Sequence, residues 1–423
     1  MTLSPERDSA APSGAAPLAE TLEEVLRFGA QLLRAGGTAF RVRQLMGVVA
    51  RGMGVDALSI QLGLGSITAS GQRGSERATL MCEVGAPGVN TRRIGALEEL
   101  ARTTPPGMTP HELATKLAAI EGAPPRYPIA QTGAAVGAAC GAFAVLNGGT
   151  GLEVAAAAVG GGIGQGLRSL LLRQRLNQYL VTTLCALVAA SGYCLSAAMV
   201  RHTGFGATHD TAGLISSVLF LVPGFPLVAS LLDLLQHETA VALARLTYAT
   251  MLLLTAAVGL SVVIVVVGVS VEAEPPLALA EPLLVLRAVA SFAGACGFAM
   301  LYNSSPRTVL HVGLLAIVGN TLRLTLHDAG LALPPATFVG ALVVGLLASL
   351  ARRWLNEPRI ALTVPGVIMM VPGLYAIETL VQCNQGEILA ALRSAVLVVF
   401  VVGAMAMGLA VARFISQPEW LRE

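Results

Sequence analysis

From Ile129 onward the chain is a succession of long apolar runs, each close to the roughly 20 residues a helix needs to cross a bilayer. They fall near 129–147, 151–171, 180–200, 211–232, 243–269, 283–302, 308–326, 336–351, 360–381 and 388–413. A water-soluble core cannot absorb so much apolar sequence. Hydrophobic residues make up 54% of the chain and charged residues 12%, where soluble domains carry about 25% charge. The expected fold is a polytopic α-helical membrane protein with about ten transmembrane helices. The seventh run is the weakest, because His311, Asn320, Arg323 and His327 interrupt it. A net charge of +2 leaves no footprint for nucleic acid.

The stretch before that, 1–127, differs in kind. It carries 13 Arg and Lys and 12 Asp and Glu, where the longer remainder carries 14 and 13. Residues 1–20, rich in Ala, Pro and Ser, read as a disordered tail without the apolar stretch of a signal peptide. Residues 21–127 read as a small cytoplasmic α/β domain. Leu22, Val25, Leu26, Gly29, Leu32 and Leu33 share one side of a helix over 21–35. Thr21 and Glu24 form a candidate capping box, and Gly36-Gly37 is the stop. A second helix is expected over 39–52, strands in LSIQLGL, ITAS and ATLMCEV, and helices near 90–102 and 110–122. The Pro-rich GAPPRYP at 122–128 marks the boundary. Six scattered cysteines without a CxxC pair read as small buried thiols.

Two stretches match each other without a gap: VPGFPLVASLLDLLQHETAVALAR at 222–245 and VPGLYAIETLVQCNQGEILAALRS at 371–394. Beyond Val-Pro-Gly, Gln236 matches Gln385 and Glu238 matches Glu387. Two five-helix halves follow, 128–270 and 282–413. An odd number of helices per half gives opposite orientations, hence an inverted repeat. Arginines in short loops set the orientation. Arg168, Arg173, Arg175, Arg307, Arg352, Arg353, Arg359, Arg413 and Arg422 fall on the side of the N-terminal domain. Glu272, Glu274 and Glu281 fall opposite, with Arg201, Arg287, Arg323 and Arg393 as exceptions. Both termini are therefore expected in the cytoplasm, with the protein in the inner (cytoplasmic) membrane.

Pro223 and Pro226 lack a backbone N–H, which leaves the carbonyls of Leu219 and Val222 without helical partners. In a bilayer such backbone must face protein, water or ligand. Gly224 permits close approach, and Pro365-Gly366 with Pro372-Gly373 repeat the device. The breaks read either as a substrate site or as packing kinks. Asp233 and Glu378 are ionisable groups near the membrane, suited to carrying a proton or to pairing with arginine. Arg245 either pairs with Asp233 or holds a substrate carboxylate, and Arg323 either does the same or stays interfacial. Asn147 and Asn303 are symmetry mates or helix caps. Gly160, Gly161, Gly162, Gly164 and Gly166 suit close helix packing. No zinc spacing, dinucleotide fingerprint or GxSxG motif occurs. No metal, cofactor or enzymatic role is expected, and a membrane enzyme with an N-terminal hydrolase-like domain is kept only as a minor alternative.

The ordered set resembles the threonine/serine exporter family of bacterial and fungal membrane proteins. It comprises LLRAGGTAFRVRQLMGVVARGMGV, ITAS and GVNTRRIGALEEL, then VPG-FP with Asp233 and Arg245, then ALTVPGVIMMVPGLY. The resemblance runs from about Leu22 to Arg413. It implies export of threonine and serine from the cytoplasm driven by the proton motive force; with the inverted repeat, the expected mechanism is antiport by alternating access between the halves. Split two-subunit relatives imply the alternative, export of a dicarboxylate such as succinate. The expected partners are that substrate, protons and the lipid bilayer; a homo-oligomer stays open. The candidate substrate site is Pro223, Gly224, Pro226, Asp233, Arg245, Pro365, Gly366, Pro372, Gly373 and Glu378. The resemblance bears only on the Pro-Gly positions and the Asp233–Arg245 pair.

Overall fold

The structure, a computed structural model, describes residues 16–174, 176–201, 211–268, 281–355 and 357–417. Residues 1–15 of the tail expected at 1–20, Arg175, Glu272, Glu274 and Arg422 lie outside the described residues, as do the side chains of Arg201, Glu281 and Arg353, while Leu18–Glu20 at the end of that expected tail are helical.

The N-terminal region holds helices α1 (Leu18–Arg34) and α2 (Ala39–Gly52). Strands β1 (Ala57–Leu62), β2 (Ser66–Arg73) and β3 (Glu76–Glu83) follow as an antiparallel meander. Helices α3 (Thr91–Arg102) and α4 (Pro110–Gly122) complete it. The apolar side of α1 is buried, and Leu22 fits over the sheet because Gly71 has no side chain: a Cβ there would lie 2.7 Å from Leu22 Cδ2. Thr21 does not cap α1. The helix starts earlier, at Leu18, and the Thr21 hydroxyl donates to the Pro17 carbonyl at 3.3 Å. The C-terminal stop is Gly36, whose φ of 101° suits glycine.

The remainder is a helical array. Helices α5 (Ile129–Leu146), α6 (Gly151–Arg173) and α7 (Gln178–Arg201) come first. Next, α8 (Thr211–Val218) passes through a single 3₁₀ turn into α9 (Gly224–Leu234), with a bend of 60°, and α10 (Thr239–Val267) follows. Helices α11 (Glu281–Leu301), α12 (Pro306–Asp328) and α13 (Leu333–Leu355) come next. Then α14 (Arg359–Val367) bends by 51° through a second 3₁₀ turn into α15 (Gly373–Asn384), ahead of α16 (Ile388–Ser416). Among the described residues, seven helices are long and apolar enough to cross a membrane, or nine segments if each bent pair is one span. The one remaining expected run, α6, is helical but stands outside that set; its glycines, Glu153, Gln165 and Arg168 dilute its apolar character. The architecture is that of a polytopic helical protein.

Element ends recur in two registers. In the first, the register of the Val-Pro-Gly match, Val218 answers to Val367, Gly224 to Gly373 and Thr239 to Ile388. Backbone torsions recur with them: Pro223 has φ −78° and ψ 58°, Pro372 has −77° and 54°. In the second, slightly longer register, Leu146 answers to Leu301, Gly151 to Pro306 and Gln178 to Leu333. That register aligns Asn303 (φ 65°) with Gly148 (φ 87°) instead of Asn147. Asn147 is instead the C-cap of α5, and its amide donates to Ser216 Oγ at 3.1 Å.

Glycines set the spacing of α5, α6 and α7. A Cβ on Gly160 would lie 2.4 Å from the Ala189 carbonyl oxygen, and one on Gly137 2.6 Å from that of Ala158. Backbone cannot yield cheaply at such contacts. Gly160→Val is therefore expected to destabilise by about 1–3 kcal/mol or more. It should lower the unfolding temperature of the detergent-solubilised protein; an unchanged temperature would show that the close approach is dispensable.

Candidate functional site

The two helix breaks meet each other. Gly224 faces Ile368 and Val371, and Gly373 faces Leu219 and Val222. Beside them Phe143 and Phe298, which correspond in the second register, pack edge to face with ring centres at 5.9 Å. The space between is a void of about 10 Å³ with apolar walls, too small for a metabolite. The break carbonyls are not left free either. Leu219 O accepts the Val222 N–H at 3.1 Å and Val222 O accepts the Gly224 N–H at 2.8 Å. Ile368 and Val371 do the same in the second break. A 3₁₀ turn followed by an inverse γ-turn centred on the proline (φ −78°, ψ 58° at Pro223) thus supplies the donors that proline removes, which corrects the expectation of unpartnered carbonyls.

A cavity of about 430 Å³ lies beside the first break, under the loop at 87–89 of the N-terminal region. Pro223, Phe225 and Pro226 line it, so the positive end of α9 borders it. From α6 come Gln165 and Arg168. Gln165 is 4% exposed; its amide donates to Ser169 Oγ at 3.0 Å, and its Oε1 has no hydrogen-bond partner among the described residues. Arg168 makes no hydrogen bond or ion pair among the described residues, although Tyr248 and Tyr302 lie within reach of its charge. Arg173 and Arg245 also line the cavity, and no carboxylate does among the described residues. The Tyr127 hydroxyl donates to Ser304 O at 2.9 Å, and burial pushes this phenol up from its ordinary value, so it stays neutral. Such a cavity suits a small solute with at least one carboxylate.

The counterpart set in the second half is closed. In the second register Gln165, Arg168 and Thr182 correspond to Asn320, Arg323 and Thr337. Arg323 is buried; its Nε donates to Thr337 Oγ1 at 3.1 Å and its Nη1 to Asn320 Oδ1 at 3.0 Å. The Asn320 amide donates in turn to Ser291 Oγ at 2.8 Å. The same polar chemistry is therefore open to a cavity in one half and packed shut in the other.

Asp233 and Arg245 hold the N-terminal region. Both are buried, with Arg245 Nη2 3.7 Å from Asp233 Oδ2. Asp233 Oδ1 accepts the Ala39 N–H, the first of α2, at 2.7 Å, and Arg245 Nη2 donates to Gly37 O at 2.9 Å. The loop between α1 and α2 is thus clamped by a buried ion pair, and Arg43 reinforces it with two bonds to Glu238 at 2.5 and 2.9 Å. At the counterpart positions the second half carries Gln382 and Ser394 instead, hydrogen-bonded at 3.1 Å.

Of the residues singled out from sequence, Pro223, Pro226 and Arg245 reach the cavity and Asp233 lies behind Arg245. Gly224 and Gly373 sit at the dry contact, and Gly366 packs toward Val344. Glu378, Pro365 and Pro372 stand apart from the cavity lining. Sequence reasoning missed Gln165 and Arg168 as site residues. The signal was present as Gly164-Gln165-x-x-Arg168 against Gly319-Asn320-x-x-Arg323. Among the described residues no group of three His, Cys, Asp or Glu could hold a metal ion.

A polytopic helical protein with an internal basic cavity at a helix break has the build of a solute transporter. Comparison with known proteins gives the family. The model described as "Putative threonine/serine exporter" matches residues 23–267, and that described as "Threonine/Serine exporter, ThrE" matches 287–415. The chain belongs to the threonine/serine exporter family. A Mycobacterium tuberculosis protein named "Probable threonine/serine exporter" is 30% identical over 70% of this chain and 57% of its own length. A Klebsiella aerogenes protein named "Probable succinate transporter subunit YjjP" is 24% identical over 54% of this chain and 86% of its own. An uncharacterised Haemophilus influenzae protein is 33% identical over 22% of this chain and 31% of its own. The chain thus spans under two thirds of the Mycobacterium and Haemophilus relatives. No solved structure matches.

Proposed function

We propose that this chain is a secondary exporter that moves threonine and serine out of the cytoplasm across the inner membrane, in exchange for protons. One observation carries the reading: Arg168 and the buried Gln165 Oε1, which has no hydrogen-bond partner among the described residues, share one cavity at a helix break. A substrate carboxylate suits the arginine fork and the positive end of α9. The substrate ammonium suits Gln165 Oε1. The cycle is alternating access between halves 128–270 and 282–413, which lie in opposite orientations in the membrane. The open Gln165, Arg168 and Thr182 set and the sealed Asn320, Arg323 and Thr337 set support it, because an exchange of the two halves needs one of each.

In this reading the N-terminal domain, 21–127, and both termini are cytoplasmic. Asp233 is the coupling carboxylate: a proton on it removes the charge facing Arg245 and loosens the start of α2. Glu378 is the reserve candidate for that role. A second reading, a dicarboxylate exporter, is favoured by one specific feature, the presence of three arginines and no carboxylate in the described lining.

Counterflow in vesicles separates the two. Vesicles preloaded with threonine or serine should accumulate the labelled amino acid, and vesicles preloaded with succinate should accumulate nothing. Exchange of succinate alone would move the assignment to the second reading. Exchange of none of the three would remove the exporter reading.

A further inference from the structure

A second polar cavity, of about 160 Å³, lies on the other face of the α1–α2 loop, between the N-terminal region and the second half. Four arginines line it from four helices: Arg41 of α2, Arg352 of α13, Arg359 of α14 and Arg413 of α16. Glu98 is the one carboxylate in the described lining, and it already holds Arg41 through two bonds at 3.0 and 2.8 Å. Three positive charges remain in excess. Arg359, Arg41 and Arg352 are all close enough to Arg413 for their repulsion to be felt there.

Two of these groups are held in place. Arg359 donates to Ser416 Oγ at 2.8 Å and to Gly345 O at 3.2 Å. Arg413 lies 4.8 Å over the Phe40 ring. Holding like charges together costs energy unless an anion joins them, and the excess matches a dianion better than a monoanion. Guanidinium forks suit phosphate oxygens, which accept paired parallel bonds.

We propose that this cavity binds a phosphate group, supplied either by an anionic lipid headgroup or by a soluble phosphate compound. The bound group ties α2 to the second half, as Asp233 ties the same helix to the first. The inference rests on the arginine cluster and is independent of what is transported.

The test uses the full chain in nanodiscs of phosphatidylcholine, with thermal unfolding followed at constant ionic strength as inorganic phosphate replaces chloride. A parallel arm replaces part of the lipid with phosphatidylglycerol. Stabilisation by inorganic phosphate assigns a soluble ligand, and stabilisation by phosphatidylglycerol alone assigns the headgroup. Arg352 makes no hydrogen bond or ion pair among the described residues, so Arg352→Gln should fold normally and weaken the stabilising anion's apparent affinity about tenfold. Arg307→Gln, exposed on α12 and outside the cavity, should respond as wild type does. If Arg352→Gln fails to fold, Arg413→Gln reads the same loss. No stabilisation in either arm, or an arginine-to-glutamine cavity variant that responds as wild type does, would overturn the proposal.

Discussion

Arg168→Gln is expected to raise the half-saturating threonine concentration in counterflow by roughly ten- to a hundredfold. Removing a charged donor from a substrate carboxylate costs about 1.5–3 kcal/mol, and each 1.4 kcal/mol is about a factor of ten. Arg168 makes no bond within the protein among the described residues, so the fold should tolerate the change. Its counterpart behaves differently. Arg323→Gln removes the partner of Asn320 Oδ1 and Thr337 Oγ1 in a buried network, so it should lower the unfolding temperature. Measuring both variants for transport and for unfolding separates a binding arginine from a sealing one. Wild-type half-saturation in Arg168→Gln would detach Arg168 from the substrate.

The second large effect is at the clamp. Asp233→Ala leaves Arg245 buried without its carboxylate and strips the acceptor from the Ala39 N–H, at an expected loss of about 3–5 kcal/mol. Asp233→Ala combined with Arg245→Met should lose clearly less than the sum of the two single changes, because no unpaired charge remains. The milder Asp233→Asn keeps an oxygen for Ala39 but cannot carry the proton. It should insert into the membrane normally and export poorly. Threonine-loaded cells expressing it at the wild-type level supply the measurement, and wild-type efflux would take Asp233 out of the coupling mechanism.

Asp233 also shows where sequence reading stops. Its cost as a buried charge was readable from its place after the Pro-Gly break. Arg245 was legible as one partner, but the other was not: Ala39 lies far earlier in the chain, and a backbone N–H leaves no mark in a sequence. The breaks were readable because proline and glycine act locally. What they do was not, since tight turns re-bond the carbonyls and the two breaks close on each other. Helix stops in the N-terminal region, such as Gly36, were legible for the same local reason, while the Thr21 cap failed because α1 gains a turn ahead of it.

The substrate cavity was the least visible part. The α6 glycines dominate that stretch and read as packing, which Gly160 and Gly161 do serve. Gln165 and Arg168 stood out only against Asn320 and Arg323. That comparison needs the register that sets Gly151 on Pro306, whereas the conspicuous repeat around Val-Pro-Gly sets Gly224 on Gly373. The connection between the third and fourth elements differs in length between the halves, so one gapless match cannot find both.

Labelling of Gln165→Cys and Asn320→Cys, each in a cysteine-free background, by a membrane-impermeant thiol reagent applied from either side reads which half is open to which side. Gln165→Cys is expected to react from the side of the N-terminal region, and Asn320→Cys only from the opposite side. Threonine should shift the two in opposite directions, one gaining reactivity as the other loses it. Reaction of both from the same side, or threonine-dependent changes in the same direction, would contradict an exchange of access between the halves.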